Sequence, residues 1–278
     1  LQPDISKFEV APWPERVFGG SYPRNARPED QRPIPPDYAT ELQVVMNALN
    51  DMKQPKVDWN FGTRGIGVLV SDSLMFQREQ PTPSDPNMAH FYGLALPFLK
   101  RGIPITPVQL ENVTLPHFLD EQKVLLLSYT GQKPQSAEVH PRLASWVRRG
   151  GVLVFVDDDK DPYNQAREWW NEDGQTTRIP RQHLFECLGL KDDQATGSPV
   201  KVGKGSVVWL RANPAKFALS PADDLILKST VQMAAMLNGI LWVETNHLIL
   251  RRGPYCLAAG LDESISAPAE VLTGRFIN

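Results

Sequence analysis

The densest group of residues able to do chemistry is Asp157-Asp158-Asp159-Lys160-Asp161, followed at once by Tyr163, Asn164 and the pair Trp169-Trp170. Several carboxylates in one short loop suit a hard cation, which prefers oxygen ligands. The run lacks the spacing and glycine of an EF-hand loop, so a solvated, helix-capping loop is the plainer reading. Carboxylates beside aromatic rings also suit a sugar, giving acceptors for hydroxyls and flat apolar faces for stacking. Asp157, Asp158, Tyr163, Trp169 and Trp170 are therefore candidate carbohydrate contacts. Adjacent tryptophans on a helix point in different directions, so one is expected in the core and the other at a surface or interface. A second group, Ser71-Asp72-Ser73, ends an apolar run, and Asp72 is a candidate contact there, with a plain turn as the alternative.

Other chemistry is missing from the pattern. Nucleophilic catalysis needs a nucleophile, a base and an orienting group, and His90, His117, His140, His183 and His247 form no recognisable relay. His140 and His183 stand near helix starts, where a surface or capping role is expected. No C-x-x-C or H-x-x-x-H spacing argues for zinc. Cys187 and Cys256 sit in apolar surroundings and read as buried thiols. Nothing singles out the two carboxylates that glycoside hydrolysis requires. No catalytic residue, metal or cofactor is expected on this chain.

The elements that position these residues follow from periodicity. Gly65–Ser71, Lys123–Ser128 and Val152–Val156 are continuous apolar runs of the kind found in buried parallel strands, and Ile105–Val108 is a shorter one. Between them, 87–101 and 137–149 carry helical apolar stripes, the second capped by Ser136 and closed by Gly150-Gly151. Arg181–Leu188 reads as a short helix and Gly203–Leu210 as a hairpin arm or edge strand. Ser220-Pro221 opens a helix to about Leu237. Strands alternating with helices make an α/β three-layer domain with a mostly parallel sheet. The division is a Pro-rich arm and helix over 1–55, the α/β domain over 56–240, and the start of a small β domain of antiparallel strands over 241–278. The arm holds eight prolines within its first 36 residues, so it is neither mostly helix nor central strand, yet its large apolar groups are expected to lie against something. The chain opens at Leu1 and closes on a strand-like pattern, and it is read as a piece of a longer polypeptide. With 22% charged residues and a net charge of -3, it carries no basic footprint for nucleic acid. Its apolar runs are too short to span a membrane.

The series GIGVLVSDS, FYGLALPFLKRGIPI, KVLLLSY and LASWVRRGGVLVFVDDD resembles the class I glutamine-amidotransferase-like domain that follows the catalytic barrel in β-galactosidase-type glycoside hydrolases. The trimerisation domain of glycoside hydrolase family 42 is the nearest comparison, over Val57–Gly239. The resemblance implies a flavodoxin-like, amidotransferase-like fold that supports oligomerisation and walls an active site. The implied partners are a catalytic barrel in the rest of the polypeptide, further copies of the chain, and carbohydrate. A working amidotransferase places its cysteine on an elbow after a strand. Here Val152–Val156 runs into Asp157, so glutaminase activity is not expected. Residues 11–52 resemble the last segment of an (α/β)₈ barrel, which makes Trp13 a candidate stacking residue and Arg16 a candidate donor to sugar. Residues 241–278 look like the start of the closing β domain. The alternatives are a stand-alone enzyme of the amidotransferase-like superfamily (trehalose-utilisation type) and a sugar-binding module using Trp169 or Trp170.

Overall fold

The three apolar runs become neighbouring central strands. A computed structural model describes residues 20–22, 27–51, 58–59, 62–75, 89–171, 178–252, 255–261 and 268. The chain divides into two compact units, one of Leu1–Asn60 with Ile249–Ala258 and one of Phe61–Leu248 with Ala259–Asn278.

In the larger unit the strands are β1 (Ile66–Val70), β2 (Thr106–Gln109), β3 (Val124–Leu127), β4 (Val152–Val156), β5 (Val200–Val202) and β6 (Gly205–Leu210). Their order across the sheet is β2-β1-β3-β4-β6-β5, and all pairs are parallel except the β5–β6 hairpin. The run Gly203–Leu210 is thus the inner arm of its hairpin, with β5 at the edge. The helices are α1 (Ala89–Leu99), α2 (Val139–Arg149), α3 (Pro180–Leu188), a single turn α4 (Lys216–Leu219) and α5 (Pro221–Leu237). The molecule has the α/β flavodoxin-like layout expected of the sequence.

Register explains why the central strands are apolar at every position. Ile66, Val124 and Val152 are successive partners across β1, β3 and β4, and so are Gly67, Leu125 and Leu153. Successive rows point to opposite faces. One face buries Leu69, Leu125, Leu127, Leu153, Phe155 and Trp209 against α2 and α3. The other buries Ile66, Val68, Val124, Leu126, Val152, Val154 and Val156 against α1, α4 and α5. Each such side chain contributes about 1.5–3 kcal/mol when taken fully out of water.

Helix ends follow local chemistry. Ser220 Oγ accepts from the Asp223 N–H, and Pro221 takes the first turn of α5. Ser136 accepts from the Glu138 N–H, so it closes the turn before α2, which starts at Val139. At the other end of α2, Gly150 has φ 131°, while Gly151 lies flat against the Trp146 ring, where a Cβ would overlap it. Gly205 stacks on the same turn, and a Cβ there would overlap the Gly151 and Val147 carbonyl oxygens. Gly205→Ala is expected to destabilise the protein by about 1–3 kcal/mol through overpacking, read as a lower urea midpoint.

In the smaller unit, Ser21–Tyr22 pairs antiparallel with Arg32–Pro33, and a helix runs over Pro36–Asp51. That helix leaves Tyr38, Val44, Val45 and Met46 exposed. His247–Arg252 pairs antiparallel with Asp58–Trp59 and stands between it and Tyr255–Gly260 in a three-stranded sheet. The strand-like segment after 241 therefore joins residues that precede the α/β sheet in the chain. Among the described residues no helix is long and apolar enough to cross a membrane.

Candidate functional site at the carboxyl edge of the sheet

The chain leaves β1 for α1 on one face and β3 for α2 on the other, so the crevice between the carboxyl ends of β1 and β3 is the topological switch point, where ligands of such sheets bind. Loops 71–75, 128–138 and 157–171 converge there.

The gap between β1 and β3 is bridged by Gln132. Its amide nitrogen donates to the Leu69 carbonyl (3.1 Å) and the Ser128 carbonyl (2.9 Å), and its oxygen accepts from the Ser71 N–H (2.8 Å). The side chain continues the ladder where the two backbones diverge. Ser71 Oγ is buried, 2.6 Å from Glu111 Oε1 and 2.8 Å from the Lys133 carbonyl. Ser73 Oγ donates to the same carbonyl at 2.6 Å and accepts from the Lys133 N–H at 2.7 Å. Asp72 is exposed and accepts from Gln109 Nε2 at 2.8 Å. Among the described residues the space left beside Gln132, Ser128 and Thr130 is about 10 Å³. That is room for one water, and Thr130 Oγ1 lies buried without a protein partner.

The acidic loop is largely consumed by internal contacts. Asp157 is 2% exposed and accepts from the Tyr129 N–H (2.8 Å), the Asp159 N–H (2.8 Å) and Ser128 Oγ (3.2 Å). Burial raises its pKa above the ordinary carboxylate value, against the lowering effect of those backbone donors. Asp159 takes the Arg181 guanidinium on both oxygens, at 2.9 and 3.0 Å from Nε. Arg181 in turn lies over the Trp209 ring, 4.3 Å from its centroid. Asp161 accepts from the Tyr163 N–H (2.8 Å), capping the turn Pro162–Gln165, and from the Gly131 N–H (2.6 Å). It also pairs with Lys133 at 3.0 Å, both side chains being almost fully buried. The Lys133 ammonium donates further to the Tyr129 and Gln132 carbonyls, so its three protons are used. Burial lowers the Lys133 pKa, and the Asp161 charge opposes that shift.

A second buried chain of polar groups starts at the same strand end. Tyr129 OH shares a 2.6 Å hydrogen bond with His140 Nε2, and His140 Nδ1 shares one of 2.7 Å with His183 Nδ1. Cys187 Sγ lies 4.0 Å from that last nitrogen. Two ring nitrogens in such contact need one proton between them, so at most one of the two imidazoles is charged. Burial lowers the His140 pKa well below its ordinary value and the adjacent His183 lowers it further. Burial and Arg178 lower that of His183. The Tyr129 hydroxyl is raised by burial and by the Asp157 charge. Cys187 and Cys256 are half-buried, free thiols, and burial raises the Cys187 pKa.

Asp157, Asp158, Tyr163, Trp169 and Trp170 therefore share one loop at the carboxyl edge. Trp170 is buried and donates to the Asn164 carbonyl at 3.1 Å. Trp169 is half-buried, donates to the Pro134 carbonyl at 2.9 Å, and presents its ring to His140 and His183. Asp158 accepts from the Lys160 N–H at 3.1 Å, and Tyr163 is 47% exposed. Trp13 and Arg16 lie outside the described residues. Gln132, Lys133 and the His140–His183 contact were not foreseen. His140 lies in the core (0% exposed) rather than at the surface, because His183 and Tyr129 satisfy its ring.

Among the described residues no group of three or more His, Cys, Asp or Glu is placed to hold a metal ion. Among the described residues, the Ser71, Ser73 and Ser128 hydroxyls are hydrogen-bonded inward. No known protein-family model matches the chain, and no curated protein sequence matches it.

Proposed function

We propose that the chain is the non-catalytic, amidotransferase-like C-terminal region of a β-galactosidase-like glycoside hydrolase, supporting assembly and walling the active site of a catalytic barrel in the same polypeptide. The observation that carries this reading is the β1–β3 crevice, where Gln132, Lys133 and Glu111 of the chain itself satisfy the polar groups of Ser71, Leu69 and Ser128 and leave room for about one water beside Thr130. A ligand-binding crevice leaves such groups for its ligand. A covering role is supported by Tyr92 and Leu96 on α1, Leu219 on α4, and Leu225 and Ile226 on α5, all exposed on neighbouring helices. Large apolar groups left facing solvent on adjacent elements mark surfaces that other protein covers. Asp158 and the exposed ring of Tyr163 are the groups on the carboxyl edge that would meet carbohydrate.

The purified chain is expected to turn over none of glutamine, trehalose or 4-nitrophenyl β-galactoside. It is expected to self-associate in sedimentation equilibrium, and Leu96→Arg with Ile226→Arg to weaken that association. Turnover abolished by Asp157→Asn with the fold retained would favour the stand-alone enzyme. A monomer at every concentration would overturn the assembly role.

A further inference from the structure

The crossover from β2 to β3 has no α-helix. Its residues, 110–123, run as a short 3₁₀ turn and irregular backbone beside α2. Between this segment and α2 lies an open groove of about 450 Å³, lined by Leu115, His117, Phe118, Arg142, Ser145 and Arg149 among others. At Leu119, Asp120 and Arg149 it passes into a second depression of about 200 Å³, which adds Lys123, Trp146 and Asn238. The two form one trough along the outer side of α2.

The cations of this trough differ from the buried and half-buried cations of the domain. Arg181, Lys133, Arg101 and Lys228 each meet a carboxylate. In the trough neither Arg142 nor Lys123 makes a side-chain hydrogen bond or ion pair among the described residues, and Arg149 donates to Ser145 Oγ (2.9 Å) but to no carboxylate. The acid of the trough, Asp120, is already engaged by His117 at 2.8 Å. His117 is held at φ 62°, a left-handed conformation uncommon for a residue with a Cβ. Three cations against one carboxylate, Asp120, thus line a groove in a chain whose net charge is -3.

We propose that this trough binds an extended acidic peptide segment, with an apolar side chain seated between Leu115 and Phe118. Arg142, Ser145 and Arg149 share one stripe of α2. Arg142 and Arg149 are about 10 Å apart along the axis at 1.5 Å per residue. An extended chain in the polyproline-II form, with three residues per turn and about 3.1 Å rise, puts residues three apart on one face about 9 Å from each other, so two acidic side chains with two residues between them would meet both guanidinium groups. Leu115 and Phe118 are 53% and 37% exposed and give the apolar contact that a bare anion would not use. Single-stranded nucleic acid would need a row of stacking aromatics, and the described lining offers Phe118 and the His117 imidazole, Trp146 being buried.

The test is fluorescence anisotropy with a fluorescein-labelled Leu-Glu-Leu-Glu-Glu-Leu-Glu peptide, the same peptide with lysine for glutamate, and a labelled oligothymidylate. The glutamate peptide is expected to saturate, with binding that weakens as salt is added. Arg142→Glu with Arg149→Glu is expected to raise its Kd at least about tenfold, and Leu115→Asp to raise it as well. Lys201→Glu, on the exposed edge strand, is expected to leave it unchanged. All these positions are at the surface, and circular dichroism checks the fold of each variant. An unchanged Kd in the double variant overturns the proposal. So does an equal effect of Lys201→Glu, equal binding of the lysine peptide, or binding of the oligothymidylate in place of the glutamate peptide.

Discussion

Lys133→Met is expected to lower the unfolding free energy by about 3–5 kcal/mol, the range for removing one partner of a buried ion pair. The methionine fills much of the space but leaves the Asp161 carboxylate, 4% exposed, without its cation. It also leaves the Tyr129 and Gln132 carbonyls without the ammonium donor. Asp161→Asn is expected to fall near the same range, because it strands a buried ammonium. The double variant Lys133→Met with Asp161→Leu should recover part of the loss, since it removes both charges, although Gly131 and Tyr163 then lose their acceptor. Urea denaturation of the four proteins measures these differences. A loss below about 1 kcal/mol for Lys133→Met, the value of an exposed pair, would show that Lys133 is not buried against Asp161.

The second large effect is on pH. The folded-state pKa values of His140 and His183 lie below their ordinary value of about 6.5, the first well below. Between the folded and unfolded values the unfolded chain holds the extra proton, so stability is full above about pH 6.5 and falls as pH drops below it. Each proton taken up contributes a slope of up to about 1.4 kcal/mol per pH unit. Asp157 acts in the opposite sense: its raised pKa lets the folded state bind a proton first, which offsets part of the loss at lower pH. Asp224 and Glu244, lowered through Arg101 with Lys100 and through Lys228 respectively against the upward pull of burial, add acid lability only as pH falls through the ordinary carboxylate range. The groups facing the histidine pair are Tyr129, Trp169, Arg178, Glu186 and Cys187. His140→Asn, neutral throughout, is expected to lower stability at pH 8 and to flatten the slope between pH 6.5 and 5. Urea midpoints across that range decide, and an unchanged slope would mean that His140 is not the buried titrating group.

The strands and helices were legible because each carries its own signal. Val152–Val156 is apolar throughout because both its faces are covered, and Ser220-Pro221 marks a helix start by local capping alone. The contacts at the carboxyl edge have no local signal. Lys133 stands in Gly131-Gln132-Lys133-Pro134, which reads as an exposed turn, and its burial depends on an aspartate 28 positions later. His140 occupies a first helical turn, where histidine is ordinarily solvated; its partner His183 is 43 residues away on α3. The acidic loop misled in another way. Five polar residues in a row look solvated, yet Asp157, Asp159 and Asp161 each turn inward to Tyr129, Arg181 and Lys133. Trp169 and Trp170 divide into half-buried and buried as expected, but they stand in a turn beyond Pro162–Gln165 and not on a helix.

Gln132 reaches the gap between β1 and β3 on a loop of its own chain, and a tethered group competes by effective concentration, roughly millimolar for a short flexible link. The anchorage of that loop by Lys133 and Asp161 raises its occupancy further. A small molecule offering the same donor and acceptors to Leu69, Ser71 and Ser128 would therefore have to displace an occupant that never diffuses away. Weak amide-bearing solutes at micromolar concentration lose that contest.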